Sequence, residues 1–489
     1  MPNVAFVRNE VKNLLEHYEI TSDCCDGDIT VKNKKSKYLP KPNSTDVSRE
    51  NVARYEAYLT RAIFYNVVHA TYNGFIGQIF ARASQIKLPP VVSYLETNCD
   101  GTGKGIEQLA KEKTGIVLKL ARSGILIEYP KTTGPKTKEE IETENLRPTL
   151  KLFKSTQIVN WRKKEIGSEI VFNMIVLKDS EIYSDDGFEF KERDIYKVLR
   201  LSDENVYSYE IWRGSNKLLF ALSEEYFPTN VDGKYLDRIP FEFCGSDNND
   251  EIPDIPVLYD MSVLNIGHYR NSADYEESCY IVGQPTPWFS GLSEEWVKNN
   301  PTIQLGSRAA IPLPTGGDAG LLQASPNIMP MEAMKHKEEQ MLALGAKLVT
   351  PSGVAKTATE SSMDNATETS VLSSIANNVS KCIENSIRKC LQFVRTTGNE
   401  EIIFKLNTDF EISKMSTAER NQLLNEWMKN AISFTEYRSN LRNGKIAILD
   451  DEKAKKEMEE EAANALDLEV TSVKALAEAN PVASVVGKS

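Results

Sequence analysis

Residues 258–280 read LYDMSVLNIGHYRNSADYEESCY, a helical pattern that is unusually polar for its length. The helix is broken by Gly283-Gln284-Pro285-Thr286-Pro287. Residues 284–326 are rich in Pro and Gly, with short strand candidates at Thr302-Ile303-Gln304-Leu305 and Ala309-Ala310-Ile311-Pro312-Leu313. A helix returns over 330–348, with Met331, Met334, Met341 and Leu348 on one face at heptad-like spacing. A loop, Thr350-Pro351-Ser352-Gly353-Val354-Ala355-Lys356-Thr357-Ala358, follows. From 361 to 397 there is neither Gly nor Pro, and Met363, Ala366, Leu372, Ile375, Val379, Ile383, Ile387, Leu391 and Val394 recur at helical spacing. That predicts one helix about 50 Å long, capped near Gly398, with Thr357 and Thr359 as cap-forming hydroxyls and Glu360 at its positive end. A polar helix such as 258–280 is a poor core element for a lone chain. The expectation is that it packs against copies of itself and against 330–348.

Upstream, residues 20–50 are polar, with Asn33-Lys34-Lys35-Ser36-Lys37 and Pro40-Lys41-Pro42, and read as an exposed arm or linker. A helical pattern covers 48–84, carried by Tyr55, Leu59, Ile63, Val67 and Ala70, with Gly74 and Gly77 as places for close helix approach. A helix is predicted over 106–123, then a buried strand from Gly124 to Tyr129 stopped by Pro130, then a lysine-rich loop over 130–147. From 150 to 243 the signal is β, with β-branched and aromatic runs at 170–177, 198–201 and 207–212 and a hairpin turn at Asp185-Asp186-Gly187. Downstream, a strand is predicted over 404–410, two short helices over 416–445, and a charged helical tail from Asp450.

The length of 489 residues suggests about three domains. Hydrophobic residues at 40% and charged residues at 26% fit a globular chain, and exclude global disorder or a fibrous repeat. With 70 acids against 58 bases the net charge is −12, so no broad basic surface for gripping nucleic acid is expected. No apolar run approaches the ~20 residues of a membrane span. Glu10, Lys12 and Glu16 deny the N-terminus a secretory apolar region. The seven Cys include no CxxC, which points to a reducing interior rather than a zinc or thiol-redox site.

Catalytic motifs are wanting. His17, His69, His268 and His336 are too far apart in sequence to form a helical metal pair. Asp100-Gly101-Thr102-Gly103-Lys104-Gly105 fails as a phosphate loop, because Asn98 stands where the first Gly belongs and Lys104 is followed by Gly105. It reads as a turn before a helix starting near Ile106. Asp247-Asn248-Asn249-Asp250-Glu251 with Asp254 lacks the spacing of a calcium loop and reads as solvated. Neither an enzyme nor a cofactor is expected. A nucleic-acid-processing enzyme is the remote alternative.

The order of segments resembles the portal, or head-to-tail connector, proteins of tailed bacteriophages, in a branch known only as a domain of unknown function. The carrying residues begin with Arg54-Tyr55-x-x-Tyr58-x-x-Arg61-Ala62-x-Phe64-x-Asn66 and Thr71-x-x-Gly74-x-x-Gly77-x-Ile79-Phe80-x-Arg82. Next are Arg122-x-Gly124-Ile125-Leu126-Ile127-Glu128-Tyr129-Pro130, Asn160-Trp161 and Ile239-Pro240-Phe241. His268-Tyr269-Arg270-Asn271-Ser272-Ala273-Asp274-Tyr275 and Thr357-Ala358-Thr359-Glu360 complete the set, which spans residues 50–450.

The resemblance implies an α+β portal fold with wing, stem, clip and crown regions. Its divisions would be an N-terminal arm (1–50), a wing (51–257), a first stem helix (258–282), a clip (283–328) and a second stem helix (329–348). A tunnel loop (349–360), a long helix with wing return (361–412) and a crown with the C-terminal tail (413–489) would follow. The function implied is a homo-oligomeric ring, a dodecamer, at one capsid vertex of the virion, assembled in the host cytoplasm. Double-stranded DNA would pass through it during packaging and ejection, without sequence-specific binding. Partners would be other copies of the chain, the terminase large subunit, head–tail adaptor or tail proteins, and major capsid and scaffolding proteins, with no membrane. Ser352, Gly353, Val354, Lys356 and Thr357 would face the DNA. Trp288, Phe289, Trp296 and Arg308 would form the clip interface. His268, Arg270, Asp274, Glu277, Lys335 and Glu338 would lie in the stem. An acidic lumen would keep the passing duplex centred and mobile. The alternative is a head–tail adaptor or minor capsid protein, a class usually shorter and lacking this helix succession.

Overall fold

The computed structural model describes residues 3–130, 137–214, 220–283, 286–300, 302–303, 312–322, 328–349, 370–393, 400–408, 410, 417–429, 431–443, 453–458 and 460. The chain forms two compact units, Met1–Asp409 and Phe410–Ser489, where length alone suggests about three domains. The architecture is mixed helix and sheet, as expected for an α+β chain.

The first unit opens with helices α1 (Leu15–Asp26), α2 (Asp28–Asn33), α3 (Arg49–Arg61), α4 (Val67–Ile79) and α5 (Ile106–Leu120). Three strands, β2 (Arg122–Glu128), β3 (Thr149–Lys154) and β9 (Phe241–Gly245), pair antiparallel in the order β3-β2-β9. Five more form an antiparallel meander: β4 (Ile158–Ile166), β5 (Glu169–Asp185), β6 (Phe190–Leu201), β7 (Tyr207–Gly214) and β8 (Phe220–Tyr226).

β2 is buried from Arg122 to Ile127, and both of its faces are covered. α5 packs on one side, and Ile158, Trp161 and Ile175 of the meander join Leu126, Phe153 and Phe241 in one core on the other. A strand covered on both faces reads as a continuous apolar run, which is why it is visible in sequence. Gly124 is required there. A Cβ at this position would sit 2.1 Å from Cζ of Phe241 and 3.1 Å from Cδ1 of Ile158.

At the base of β2, the fully buried Arg122 stacks 4.8 Å from the Trp161 ring. It donates to the carbonyls of Ile158 at 3.1 Å, Ser155 at 3.3 Å and Glu251. Burial pushes its guanidinium down to about 10. Asp254, in the same linker, accepts from Ser246 Oγ and the Asp247 amide, each at 3.2 Å. The acidic 247–254 loop is thus tied down by the chain's own donors.

Several expectations change. The supposed arm is mostly folded: Tyr18, Cys24, Cys25, Val31, Tyr38 and Leu39 are buried. Tyr38 donates to Asp23 at 2.5 Å, and Lys34 reaches Glu19 at 2.8 Å. Its lysines stand at a surface beneath which several apolar side chains are buried, so composition overstates its exposure; the longest fully exposed run is 40–45. The 48–84 helix is two helices, broken over 62–66. Gly74 and Gly77 face open space, and the close approach occurs at Gly115, whose Cβ would meet Tyr72 Oη at 2.5 Å. A short helix, Lys138–Thr143, stands in the 130–147 loop, opened by a Thr137–Glu140 capping box. α5 stops at Leu120, three residues early, because Ala121 turns left-handed at φ 56° and starts β2.

The predicted 404–410 strand shrinks to β12 (Ile403–Lys405), paired with β1 (Gln85–Lys87). Beyond it the Leu406 amide donates to Ser380 Oγ at 3.1 Å on helix α9 (Val371–Phe393), which ends the pairing. Ser370 caps α9 by accepting from the Ser373 amide at 3.2 Å, while residues 361–369 and 394–399 lie outside the described residues. In the second unit the two helices expected over 416–445 are α10 (Thr417–Met428) and α11 (Phe434–Asn443), with Trp427 stacked 4.9 Å from Tyr437.

Replacing Gly124 by Ala is expected to destabilise the first unit by about 1–3 kcal/mol, since Phe241 has no room to retreat. Urea denaturation of the purified chain measures it.

Candidate functional site

Helices α6 (Tyr259–Val282) and α8 (Met329–Val349) match the two helices expected over 258–280 and 330–348. They run antiparallel. A Cβ on Gly345 would lie 3.3 Å from Met261, one on Gly267 would lie 3.1 Å from Lys337, and His268 Nε2 meets Glu338 at 3.0 Å. Met341 is fully buried along this seam and Leu342, one residue on, is 71% exposed. The glycines let the helices approach, so long side chains from one lie along the backbone of the other.

The polar face of α6 has partners within the chain. Tyr58 Oη donates to Asp274 at 2.6 Å, and burial together with that bond pushes the Tyr58 phenol well up. Arg61 pairs with Glu277, and Arg54 lies 3.6 Å from the same carboxylate. Arg270 Nε donates to the Tyr38 carbonyl at 2.8 Å. Ser272 Oγ donates to the Ile63 carbonyl at 2.7 Å and accepts from its amide at 2.8 Å. Asn265 donates to the Tyr65 carbonyl at 2.9 Å and accepts from the Val68 amide at 3.3 Å. α6 thus packs against α8 as expected, and it also finds partners that the sequence did not suggest, in α3, the 62–66 break, Val68 and Tyr38.

Beyond these pairings the helices lead into a hairpin of β10 (Thr286–Ser290) and β11 (Asp318–Leu322), with α7 (Glu294–Asn299) between. Trp288 sits opposite Gly320, and its indole occupies the space a Cβ there would need, at 2.8 Å. Trp296 Nε1 donates to the Pro312 carbonyl at 3.1 Å. Ser293 caps α7 through the Trp296 amide at 3.2 Å. The outer surface stays apolar: Leu321 is 64% exposed and Leu322 70%. Tyr280, Ile281, Val297 and Met329 are exposed as well.

Of the residues singled out from sequence, His268 and Glu338 meet, Asp274 and Glu277 are bound to α3, and Arg270 to the Tyr38 carbonyl. Lys335 is exposed. Trp288 is exposed, and Phe289 and Trp296 are half-buried. Arg308 and the loop residues Ser352, Gly353, Val354, Lys356 and Thr357 lie outside the described residues. Tyr58, Arg61, Asn265 and Ser272 hold the arrangement together and were not selected as site residues. Tyr58 and Arg61 share a helix face three residues apart, but their partners are 216 residues away.

Among the described residues no three His, Cys, Asp or Glu are placed to hold a metal ion, and no helix is long and apolar enough to cross a membrane.

The model of a family described as "Domain of unknown function (DUF4055)" matches residues 257–394, under a third of the chain. That segment spans α6, the hairpin, α8 and α9. No curated protein matches. Among solved structures, a chain of "Virion of native gene transfer agent (GTA) particle" aligns at 14% identity and TM-score 0.40, covering 85% of this chain and 99% of that one. A chain of "Neck of empty GTA particle computed with C6 symmetry" aligns at 14% identity and TM-score 0.42, with the same coverage.

Asn265→Ala strips partners from one carbonyl and one amide at the 62–66 break. A loss of about 1–3 kcal/mol is expected, read as a lower urea midpoint, whereas Lys335→Ala leaves the midpoint unchanged.

Proposed function

We propose that this chain is a portal-type subunit of a phage-like particle, forming a homo-oligomeric ring through which double-stranded DNA passes. The observation that carries the reading is the antiparallel α6–α8 pair ending in a hairpin whose apolar side chains are exposed. A lone chain gains nothing from presenting Leu321, Leu322 and Met329 to water, and surfaces of this kind mark protein interfaces. The portal resemblance of the sequence adds the ring, and the segment order assigns the parts.

In this reading α6 and α8 are the stem, and residues 283–328 are the clip, docking terminase during packaging and adaptor or tail proteins afterwards. Residues 349–360 are the tunnel loop. The β-rich body is the wing, in contact with shell and scaffold, and α10 and α11 belong to the crown. No chemistry is assigned to the chain; the motor ATPase is a separate protein.

Net acidity multiplied around a ring gives a wall that repels phosphates. Duplex DNA carries about one charge per 1.7 Å, so a basic bore would hold it through counterion release, and an acidic one lets it slide.

Negative-stain images of the purified chain are expected to show rings with an axial hole, and gel-shift titration no tight duplex binding at physiological salt. A compact monomer under every condition overturns the reading, as does turnover by the chain alone. Gly353→Pro, or deletion of 352–357, is expected to leave rings intact and impair packaging or DNA retention in a packaging assay; normal packaging removes the loop from the mechanism.

A further inference from the structure

β5 and β6 outrun the sheet they belong to. The last β6–β7 pair is Ile195 with Arg213, and β4 stops pairing with β5 at Leu177. The rows from Ser180–Asp194 to Asp185–Phe190 therefore form a two-stranded ribbon, with no third strand among the described residues. Such a ribbon is marginal alone in water.

Its turn is nevertheless well built. Asp186 Oδ1 accepts from the amides of Phe188 at 2.9 Å and Glu189 at 2.6 Å, and Asp185 Oδ1 accepts from Gly187 at 2.8 Å. What the turn displays is apolar. Phe188 is 98% exposed, and Ile182, Tyr183 and Phe190 are each more than half exposed. Among the described residues nothing covers Phe188, and we look for its receptor on another molecule.

Charge narrows the choice. Residues 178–194 hold seven acids and three bases, and residues 27–41 hold five lysines and one acid. Glu19 takes Lys34 and Lys37, while Lys35 is exposed and Lys32 half-buried, and Ile29, three residues before Lys32 on α2, is 71% exposed. An acidic hairpin with an apolar tip and a lysine-rich surface with an apolar centre are complementary in both respects.

We propose that the β5–β6 tip of one copy seats on the α2 surface of the next, Phe188 against Ile29 and the hairpin carboxylates over Lys32 and Lys35. This rests on the ring assembly proposed above and names one of its contacts. The two surfaces differ, so the contact is head-to-tail, the kind that builds a ring when its rotation closes.

Mass photometry of the full-length chain at graded concentration and salt tests it. Phe188→Ala is expected to raise the concentration for half-assembly about tenfold, as for an interface anchor, without changing the fold. The pair Glu189→Lys, Glu192→Lys should do the same, as should Lys32→Glu with Lys35→Glu. The two pairs combined should restore assembly, because the charges are exchanged. Rings that form equally well in every variant overturn this contact and leave the ring intact. Weakening without restoration also overturns it, and assigns the tip to a different surface. A wild-type chain that never assembles overturns the ring reading, and this contact with it.

Discussion

A backbone that leaves a helix must find new partners for those of its amides and carbonyls that packing shields from water. Residues 62–66 pose that problem between α3 and α4, and α6 solves it. Asn265 and Ser272 bind Ile63, Tyr65 and Val68, while Tyr58 and Arg61 at the end of α3 reach Asp274 and Glu277. The rest of the helical half depends on this exchange. It sets where α6 lies, and with it the glycine-lined seam against α8. The composition of α6 is the consequence: a helix that supplies hydrogen bonds to a neighbouring break cannot be apolar.

A second anchor works on the same principle at the other end of α6. Arg122 is fully buried; the nearby carboxylates of Asp254, Asp250 and Glu251 favour its charge, and carbonyls of the 155–158 and 251 turns and the Trp161 ring hold it. Tyr18 donates to the Asp254 carbonyl at 3.3 Å and accepts from Ser155. The linker entering α6 is thus fastened to the sheet and to the N-terminal helices together. A force applied to the hairpin end of α6 would reach the β-rich body through this knot and not through a free hinge.

Against the paired groups around α6 and Arg122, the apolar side chains left in water stand out. Two groups of them lie on the β10–β11 hairpin and the β5–β6 turn. The aromatic residues of both lie on strands, a short helix or a tight turn, where the backbone holds them in place before any partner arrives.

Read alone, the sequence determined many of the elements whose signal is local, though not the capped helix Lys138–Thr143. The α6 and α8 helices, β2 between covering layers, the β5–β6 turn at Asp185-Asp186-Gly187 and the helix pair near the C-terminus all follow from periodicity or turn chemistry over a few residues. Of the candidate site, two helices flanking a Pro- and Gly-rich excursion were legible, and so were its aromatic residues; β10 and β11 were not, since the strand candidates fall at 302–305 and 309–313, where 304–305 and 309–311 lie outside the described residues. What only tertiary structure decided are choices made between distant segments. The break at 62–66 competes with an unbroken helical pattern and wins because Asn265 and Ser272 arrive about 200 residues later in the chain. The lysine-rich N-terminal stretch looks like an arm because a surface helix shows its charges in the sequence and hides its buried Tyr18, Val31 and Leu39 among them. The polarity of α6 was visible from the start, but its reason was not, because a hydrogen-bond partner is a fact of position in space and leaves no periodicity behind.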